Sequence, residues 1–233
     1  MRKSVANHVL LLALALCAPA SPAQGIAPDA LLRGVTTEVI GTIKQELQPQ
    51  AIDPAKLTAL VEAKILPLFD FDRITQLAVA RGWRLATPEQ QRVLIEEFRT
   101  LLVRTYATAL ASYRDEVIVF KQLRAAPQDT EVTVRSEVIQ AGRERMSLDY
   151  AMANTPAGWK IYNVKVADLC LVTNYRDVFA EKVRDGGVDG LIKFLAEANR
   201  GASPRFNDIA TSFWERTRVM YAIFQNAVRS GLQ

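Results

Sequence analysis

The stretch that most constrains the fold is residues 86–113, "ATPEQQRVLIEEFRTLLVRTYATALASY". Thr87, Pro88 and Gln90 match a capping box with proline at the first helical position. No later glycine or proline breaks this helix for about seven turns. Side chains at spacings of three and four share one face: Leu94, Phe98, Leu101, Leu102, Thr105, Tyr106, Ala109 and Tyr113. A helix with so long an apolar stripe must bury it against a second layer of structure.

The N-terminus carries the features of a secretory signal peptide. Arg2 and Lys3 precede the apolar run "VLLLALALCAP", and the small residues "ASPA" follow it. This order of charged, apolar and small segments is typical of a signal peptide, and the apolar run is too short to span a bilayer. We predict a signal peptide over residues 1–23 with cleavage after Ala23, although cleavage after Ala20 fits equally well.

The predicted mature chain has few residues suited to catalysis. The one histidine, His8, and Cys17 leave with the signal peptide, so Cys170 is the single thiol. That inventory excludes an intramolecular disulfide, a His-dependent triad and a His-ligated metal. Without Arg2 and Lys3, 27 of the 29 basic residues stand against 25 acidic ones, which argues against nucleic-acid binding. We expect no cofactor or metal, and a disulfide-free exported chain suits the periplasm.

Further helices are predicted on both sides of the long helix. Residues 28–66 predict two of them. The segment "LFDFDRITQLAVARGW" predicts a third, capped by Asp70 or Asp72 and ended by Gly82 in a left-handed conformation. Near the C-terminus, "VTNYRDVFAEKVRD" and "VDGLIKFLAEANR" predict two more, each followed by glycine.

Between these helices the apolar period changes from 3.6 to 2. The segments "EVIVFKQL", "TEVTVRSEVIQ", "ERMSLDYAMA" and "WKIYNVKVADL" predict four strands joined by short loops. One-sided alternation predicts an antiparallel sheet with one face in water and the other covered. The predicted fold is therefore α+β: helices packed on one face of a curved four-stranded antiparallel sheet, with an apolar cavity between them.

Candidate catalytic residues have simpler explanations. Asp70 and Asp72 could form an acid–base pair, but helix capping accounts for both. Cys170 has no histidine to activate it, so packing in an apolar environment is the favoured interpretation. An enzyme is the least favoured class. The many large aromatic side chains fit a solid core or the lining of a ligand cavity, and periodicity does not separate these two.

Two long segments resemble a known family. They are "LPLFDFDRITQLAVARGWRLATPEQQRVLIEEFRTLLVRTYATAL" and "WKIYNVKVADLCLVTNYRDVFAEKVRDGGVDGLIKFL". Both are similar to the periplasmic phospholipid-binding component of the Mla lipid-transport system, known as the MlaC or toluene-tolerance family. The resemblance runs from about residue 28 to residue 200, within a predicted lipid-binding domain over residues 24–200.

The resemblance implies a non-enzymatic carrier that shelters acyl chains of phospholipid between helices and a curved sheet. It also implies two partners: an inner-membrane ABC transporter complex with an MCE-domain protein, and an outer-membrane lipoprotein–porin complex. Relatives near hopanoid biosynthesis genes make a hopanoid or another non-phospholipid lipid an alternative cargo. A scaffold of the transport complex that binds no lipid is a further alternative.

Ten residues are candidates for the cavity lining. We expect Phe98, Leu102 and Tyr106 of the long helix to face the sheet across the cavity. The candidates are Phe71, Leu94, Phe98, Leu102 and Tyr106 from the helices, and Val134, Val138, Leu148, Tyr150 and Val164 from the sheet. Residues 201–233 predict a C-terminal helical extension with one apolar stripe, which packs on the domain, contacts a partner or a membrane, or inserts near the mouth of the cavity.

Overall fold

The structure, a computed structural model, describes residues 25–46, 54–111, 116–140, 145–167 and 169–201. The predicted signal peptide and the extension beyond Gly201 lie outside these residues, as do the side chains of residues 106–111. No helix in the described part of the chain is both long enough and apolar enough to cross a membrane.

Five helices carry the α part of the fold. They are α1 (Pro28–Glu46), α2 (Pro54–Leu60), α3 (Phe71–Val79), α4 (Pro88–Ala111) and α5 (Leu171–Asn199). A π-helical turn at Val61–Ile65 and a 3-10 turn at Leu66–Leu68 connect α2 to the segment before α3. Helix α5 is broken at Gly186 and Gly187, where Gly187 has φ +67°, so it comprises the two predicted helices joined at a bend.

The predicted helix starts are confirmed by their side-chain caps. At α4, the Thr87 N–H donates to Gln90 Oε1 at 2.9 Å and the Gln90 N–H donates to Thr87 Oγ1 at 3.2 Å. At α3, the Arg73 N–H donates to Asp70 Oδ1 at 2.9 Å. Each cap satisfies backbone donors that the first helical turn leaves free.

The predicted end of α3 is wrong. The left-handed residue is Ala80, with φ +52°, and not Gly82. Gly82 is buried in the following 3-10 turn, where an added Cβ would lie 3.0 Å from Val183 Cγ2 and 3.1 Å from Val79 Cγ1. Glycine here therefore allows the close approach of α5, a tertiary contact that local sequence does not reveal.

The sheet has five strands where four were predicted. They are β1 (Val117–Phe120), β2 (Glu131–Ile139), β3 (Met146–Thr155), β4 (Gly158–Val166) and β5 (Leu169–Cys170), each antiparallel to the next. The additional strand, β5, has two residues, too few to show alternation. The chain folds back into it after Ala167, which has φ +45°.

The strand register confirms the predicted alternation. Val134 is paired with Tyr150, which is paired with Val164, so these three form one row across the sheet. We call this side the inner face. A register shift between Ala151 and Met152 leaves Tyr162 as the extra residue of β4.

The apolar residues form separate clusters. The helix core joins α3, α4 and α5, and the sheet core joins the inner face to Leu32 of α1. The Arg33 guanidinium also holds α1 over the sheet, since it lies 5.0 Å from the centre of the Phe120 ring and donates to the Phe120 carbonyl. Phe69 packs against both cores, and in the described part of the chain no other side chain belongs to both.

We expect Gly82→Ala to lower the free energy of unfolding by about 1–3 kcal/mol, because the new methyl overpacks against Val183. Gly34→Ala is the matched control. Gly34 lies within α1 with open space around its Cα, so alanine should raise the free energy of unfolding by about 0.5–1 kcal/mol. Urea titration of both variants measures the difference, and a neutral Gly82→Ala would contradict this packing.

Candidate functional site

The five sheet residues predicted to line the site share the inner face. Val134 is 1% exposed, and the other four are partly buried. Tyr150 stacks on Phe120 with ring centres 6.5 Å apart. Burial raises the pKa of the Tyr150 hydroxyl, an effect that a hydrogen bond with Ser136 reduces, so the side chain stays neutral. The inner face is therefore an apolar surface that its neighbours cover incompletely.

The helix residues predicted for the site lie in the helix core. Leu94 and Phe98 are fully buried there, and Leu102 is 6% exposed. The Phe98 ring meets Tyr175 and Phe179 of α5 edge-on, with centres 5.0 and 4.9 Å apart. The described side chains of α4 thus pack on α5 and not on the row of Val134, Tyr150 and Val164. Tyr106 belongs to α4, but its side chain lies outside the described residues.

The two cores meet at a residue that the predicted site omitted. Phe69 pairs with Ile161 of β4 in a parallel bridge, and the next N–H, from Asp70, donates to the Ile161 carbonyl at 2.9 Å. The Phe69 ring stacks on Phe71 at 5.8 Å. The alternation in "LFDFD" is a signal for an extended segment here, but the segment directly precedes a helix start, and capping alone explains its two acidic residues.

A pocket of about 490 Å³ opens at this meeting point. We call it the junction pocket; it contains Phe71 of the predicted site. Its lining comprises Leu66, Phe69, Asp70, Phe71, Asp72, Ile95, Arg99, Thr155 and Lys160. The Arg99 guanidinium lies 5.7 Å from the centre of the Phe71 ring, and the Lys160 ammonium donates to the Pro67 carbonyl. The pocket therefore combines an apolar wall with charges of both signs.

A polar cluster beside the junction pocket fixes α3 to the sheet. Arg73 of α3 lies over the Tyr162 ring at 3.6 Å and pairs with Glu131 at 2.8 Å. The Tyr162 hydroxyl donates to the other oxygen of Glu131 at 3.0 Å. These hydrogen bonds, first from Arg73 and then from Tyr162, hold the pKa of the Glu131 carboxyl below its ordinary value.

Cys170 and the acidic side chains are the residues to test for catalytic or metal-binding chemistry. Cys170 is half-buried, and although it packs against the helix core, it also contacts polar groups, which the predicted apolar environment did not include. Its burial alone would raise the thiol pKa, but hydrogen bonds from Thr173, Asn163 and the Val172 N–H lower it below the ordinary value. No group of three or more His, Cys, Asp or Glu side chains that could hold a metal occurs in the part of the chain described.

The sequence comparison decides the family. The model of the MlaC protein family matches residues 33–197, most of the chain. The chain belongs to the MlaC family. This confirms the resemblance that the sequence motifs indicated.

Similar proteins in this family are known from several bacteria. The structure of a phospholipid-binding protein from Ralstonia solanacearum was solved in complex with a phospholipid. Its sequence is 40% identical to this chain, and the two structures superpose with a TM-score of 0.68 over 75% of this chain and 97% of the Ralstonia chain. The toluene tolerance protein ttg2D of Pseudomonas putida is 25% identical over 199 residues, 82% of this chain and 92% of its own length. The intermembrane phospholipid transport system binding protein MlaC of Haemophilus influenzae is 20% identical over 175 residues, 74% of this chain and 82% of its own length.

The polar cluster predicts a pH dependence of stability. The pKa of Glu131 is lower in the folded protein than the 4.5 of a free glutamate side chain. The ionised carboxylate therefore stabilises the fold above about pH 4.5, and this contribution is lost as the pH falls through the pKa of the folded state. Glu131→Gln should therefore lower the urea midpoint at about pH 7 more than at about pH 3. Arg73→Gln should give the same pattern. A midpoint difference that is equal at both pH values would contradict the assignment.

Proposed function

We propose that this chain is a carrier that binds the acyl chains of a phospholipid between the helix core and the inner face of the sheet. The observation that supports it most strongly is the Ralstonia relative, which binds a phospholipid, is 40% identical and aligns over 97% of its length. That identity and coverage, with a TM-score of 0.68, support a shared fold and a shared kind of ligand.

The inner face supplies the apolar surface that this proposal needs. Val138, Leu148, Tyr150 and Val164 are only partly buried, although they lie on the covered side of the sheet. Apolar surface left in water is unfavourable by about 25 cal/mol per Å². Acyl chains would cover it. The proposed lining adds to these residues and Val134 the helix residues Phe71, Leu94, Phe98, Leu102 and Tyr106. Because Leu94, Phe98 and Leu102 pack against α5 in this structure, they would reach the acyl chains only after the helix layer rearranges.

The energetics favour transfer between membranes over release into water. Each buried methylene contributes about 0.8 kcal/mol, so a chain of about 16 carbons gains on the order of 10 kcal/mol relative to water. In a bilayer the same acyl chain is already buried, so the net free energy of moving it from the bilayer into the carrier is near zero. Such a carrier holds its cargo until it meets an acceptor that offers another apolar environment.

The proposal places the carrier in the periplasm. It exchanges phospholipid with an inner-membrane MCE-domain ABC transporter complex on one side and an outer-membrane lipoprotein–porin complex on the other. The signal-peptide pattern of residues 1–23 and the family membership support this location. Residues 24–200 then form the lipid-binding domain and residues 201–233 a helical extension.

Native mass spectrometry of the mature protein purified from periplasm tests the function. We expect a mass excess that extracts as phospholipid. A bound lipid without phosphate, such as a hopanoid, would keep the carrier mechanism and replace the cargo. A clean apo mass that persists after incubation with liposomes would contradict the proposal and favour a scaffold of the transport complex.

We expect Val138→Glu to abolish lipid retention, because the carboxylate would lie on the inner face against the acyl chains. Thr133→Glu is the matched control, since Thr133 is exposed on the opposite face of the same strand and should retain lipid. Val138→Trp adds volume without charge and should reduce retention by filling the space. Circular dichroism checks that each variant is folded, and folded Val138 variants with full lipid occupancy would contradict the lining.

A further inference from the structure

We propose that the open edge of β2 binds an extended, acidic segment of a partner protein, which adds to the sheet as a further strand. The site is a notch of about 280 Å³ between the start of β2 and the chain that follows β1. We call it the edge notch. Its lining includes Gln122, Arg124 and Asp129 from the chain after β1, and Glu131, Thr133 and Arg135 from β2. The inference concerns the backbone edge of the sheet and does not depend on the proposed lipid cargo.

Strand β2 extends beyond the end of its neighbour β1. Strand β1 is paired with residues 136–139 of β2, and one further backbone bond joins the Lys121 N–H to the Arg135 carbonyl at 2.8 Å. Within the described residues, no strand is paired with residues 131–134 on that side. The edge of β2 is therefore open over the first part of the strand.

The backbone of Thr133 presents a donor and an acceptor at this open edge. In an antiparallel strand, the backbone groups of successive residues point alternately to the two neighbouring strands. The Arg135 carbonyl points towards β1, whereas the Thr130 carbonyl accepts from the Asn154 N–H of β3 at 2.8 Å. Thr133 is two residues from Arg135, so its N–H and carbonyl also point away from β3, into the edge notch. An unpaired donor and acceptor of this kind form a template for strand addition.

The opposite wall of the edge notch is held in place by its own contacts. The Ala126 N–H donates to Asp129 Oδ2 at 2.7 Å, and the Asp129 N–H donates to the Ala126 carbonyl at 3.0 Å, which closes a turn. Leu123 packs against the sheet core. Because these contacts exist before a partner binds, little conformational entropy of the wall is lost on binding.

The charge left uncompensated in the edge notch is positive. Its two carboxylates already have partners, since Glu131 pairs with Arg73 and Asp129 closes the turn. Arg124 is exposed and forms no salt bridge in the described parts of the chain. Arg135 is also exposed, and the carboxylate of β3 that it faces is 3.8 Å away. An acidic side chain on the added strand would therefore meet two guanidinium groups, whereas a basic one would be repelled.

Amide hydrogen exchange of the isotopically labelled mature protein tests whether the edge is open. The Thr133 N–H should exchange about tenfold or more faster than the Val134 N–H, which points towards its partner strand β3. Equally slow exchange at both residues would mean that another segment of this chain already covers the edge, and it would overturn the proposal. Amide shifts that depend on protein concentration would assign the edge to a second copy and would overturn it as well.

Titration with the synthetic peptide acetyl-TVEVT-amide tests the chemistry of the partner. We expect amide shifts confined to residues 122–135 and slower exchange of the Thr133 N–H in the bound state. The same peptide with lysine in place of glutamate should bind about two- to fivefold more weakly at low salt. A peptide methylated at the backbone nitrogens that face β2 should not bind. Equal binding of the acidic and the lysine peptide, or no binding of either, would overturn the proposal.

Variants connect the binding to the edge notch. Arg124→Glu should weaken binding of the acidic peptide by about two- to fivefold. Lys56→Glu is the matched control, because it makes the same charge change at an exposed position of α2 outside the notch. Unchanged binding by the Arg124 variant would contradict the charge assignment.

Proline substitutions separate the two edges of β2. Thr133→Pro removes the donor at the open edge, so the protein should fold and lose peptide binding, since proline is tolerated where the N–H faces solvent. Val134→Pro removes a donor on the side of β3 and should lower the urea midpoint much further. A folded Thr133→Pro variant that still binds the peptide would overturn the proposal, and the Arg124 variant decides it independently of how the proline variants fold.

Discussion

The edge-on packing of Phe98 against Tyr175 and Phe179 is the contact on which the rest of the structure depends. It buries the described apolar stripe of α4 within the helix layer, against α5. Because those side chains of α4 are already covered, the inner face of the sheet has to find apolar cover elsewhere. Helix α1 supplies part of it through Leu32, and several inner-face residues stay only partly buried. In the proposed carrier, acyl chains complete this cover.

Local patterns predicted much of the fold. The capping box at Thr87, the cap at Asp70 and the bend at Gly186 follow from short-range chemistry, and the alternation in β2 and β3 predicted which residues share the inner face. Strand β5 was missed because a pairing of two residues leaves no periodic signal. Gly82 was assigned to the wrong role because its neighbour Val183 is distant in sequence.

The candidate site was harder to predict for a related reason. Periodicity predicts which side chains share a face but not which layer that face meets, so the partners of Phe98 on α5 were not foreseen. The junction pocket brings together Asp72, Arg99 and Lys160 from α3, α4 and β4. No spacing along the chain connects these three elements. The resemblance to the MlaC family suggested the function class that the residues alone left open, and the family match confirms the resemblance.

The Phe69 ring, which packs against both cores, has a mechanical consequence. A lipid carrier has to open for its cargo without unfolding. The contacts between its two layers therefore have to be weaker than the packing within each layer. In the described residues the helix core and the sheet core meet through Phe69, while each core is held internally by many buried side chains. The work needed to part the layers then depends on the contacts of Phe69 and on the polar cluster of Arg73, Tyr162 and Glu131. In the proposed carrier, the rate of cargo exchange would therefore be set at this boundary, whereas the two cores set most of the global stability of the protein.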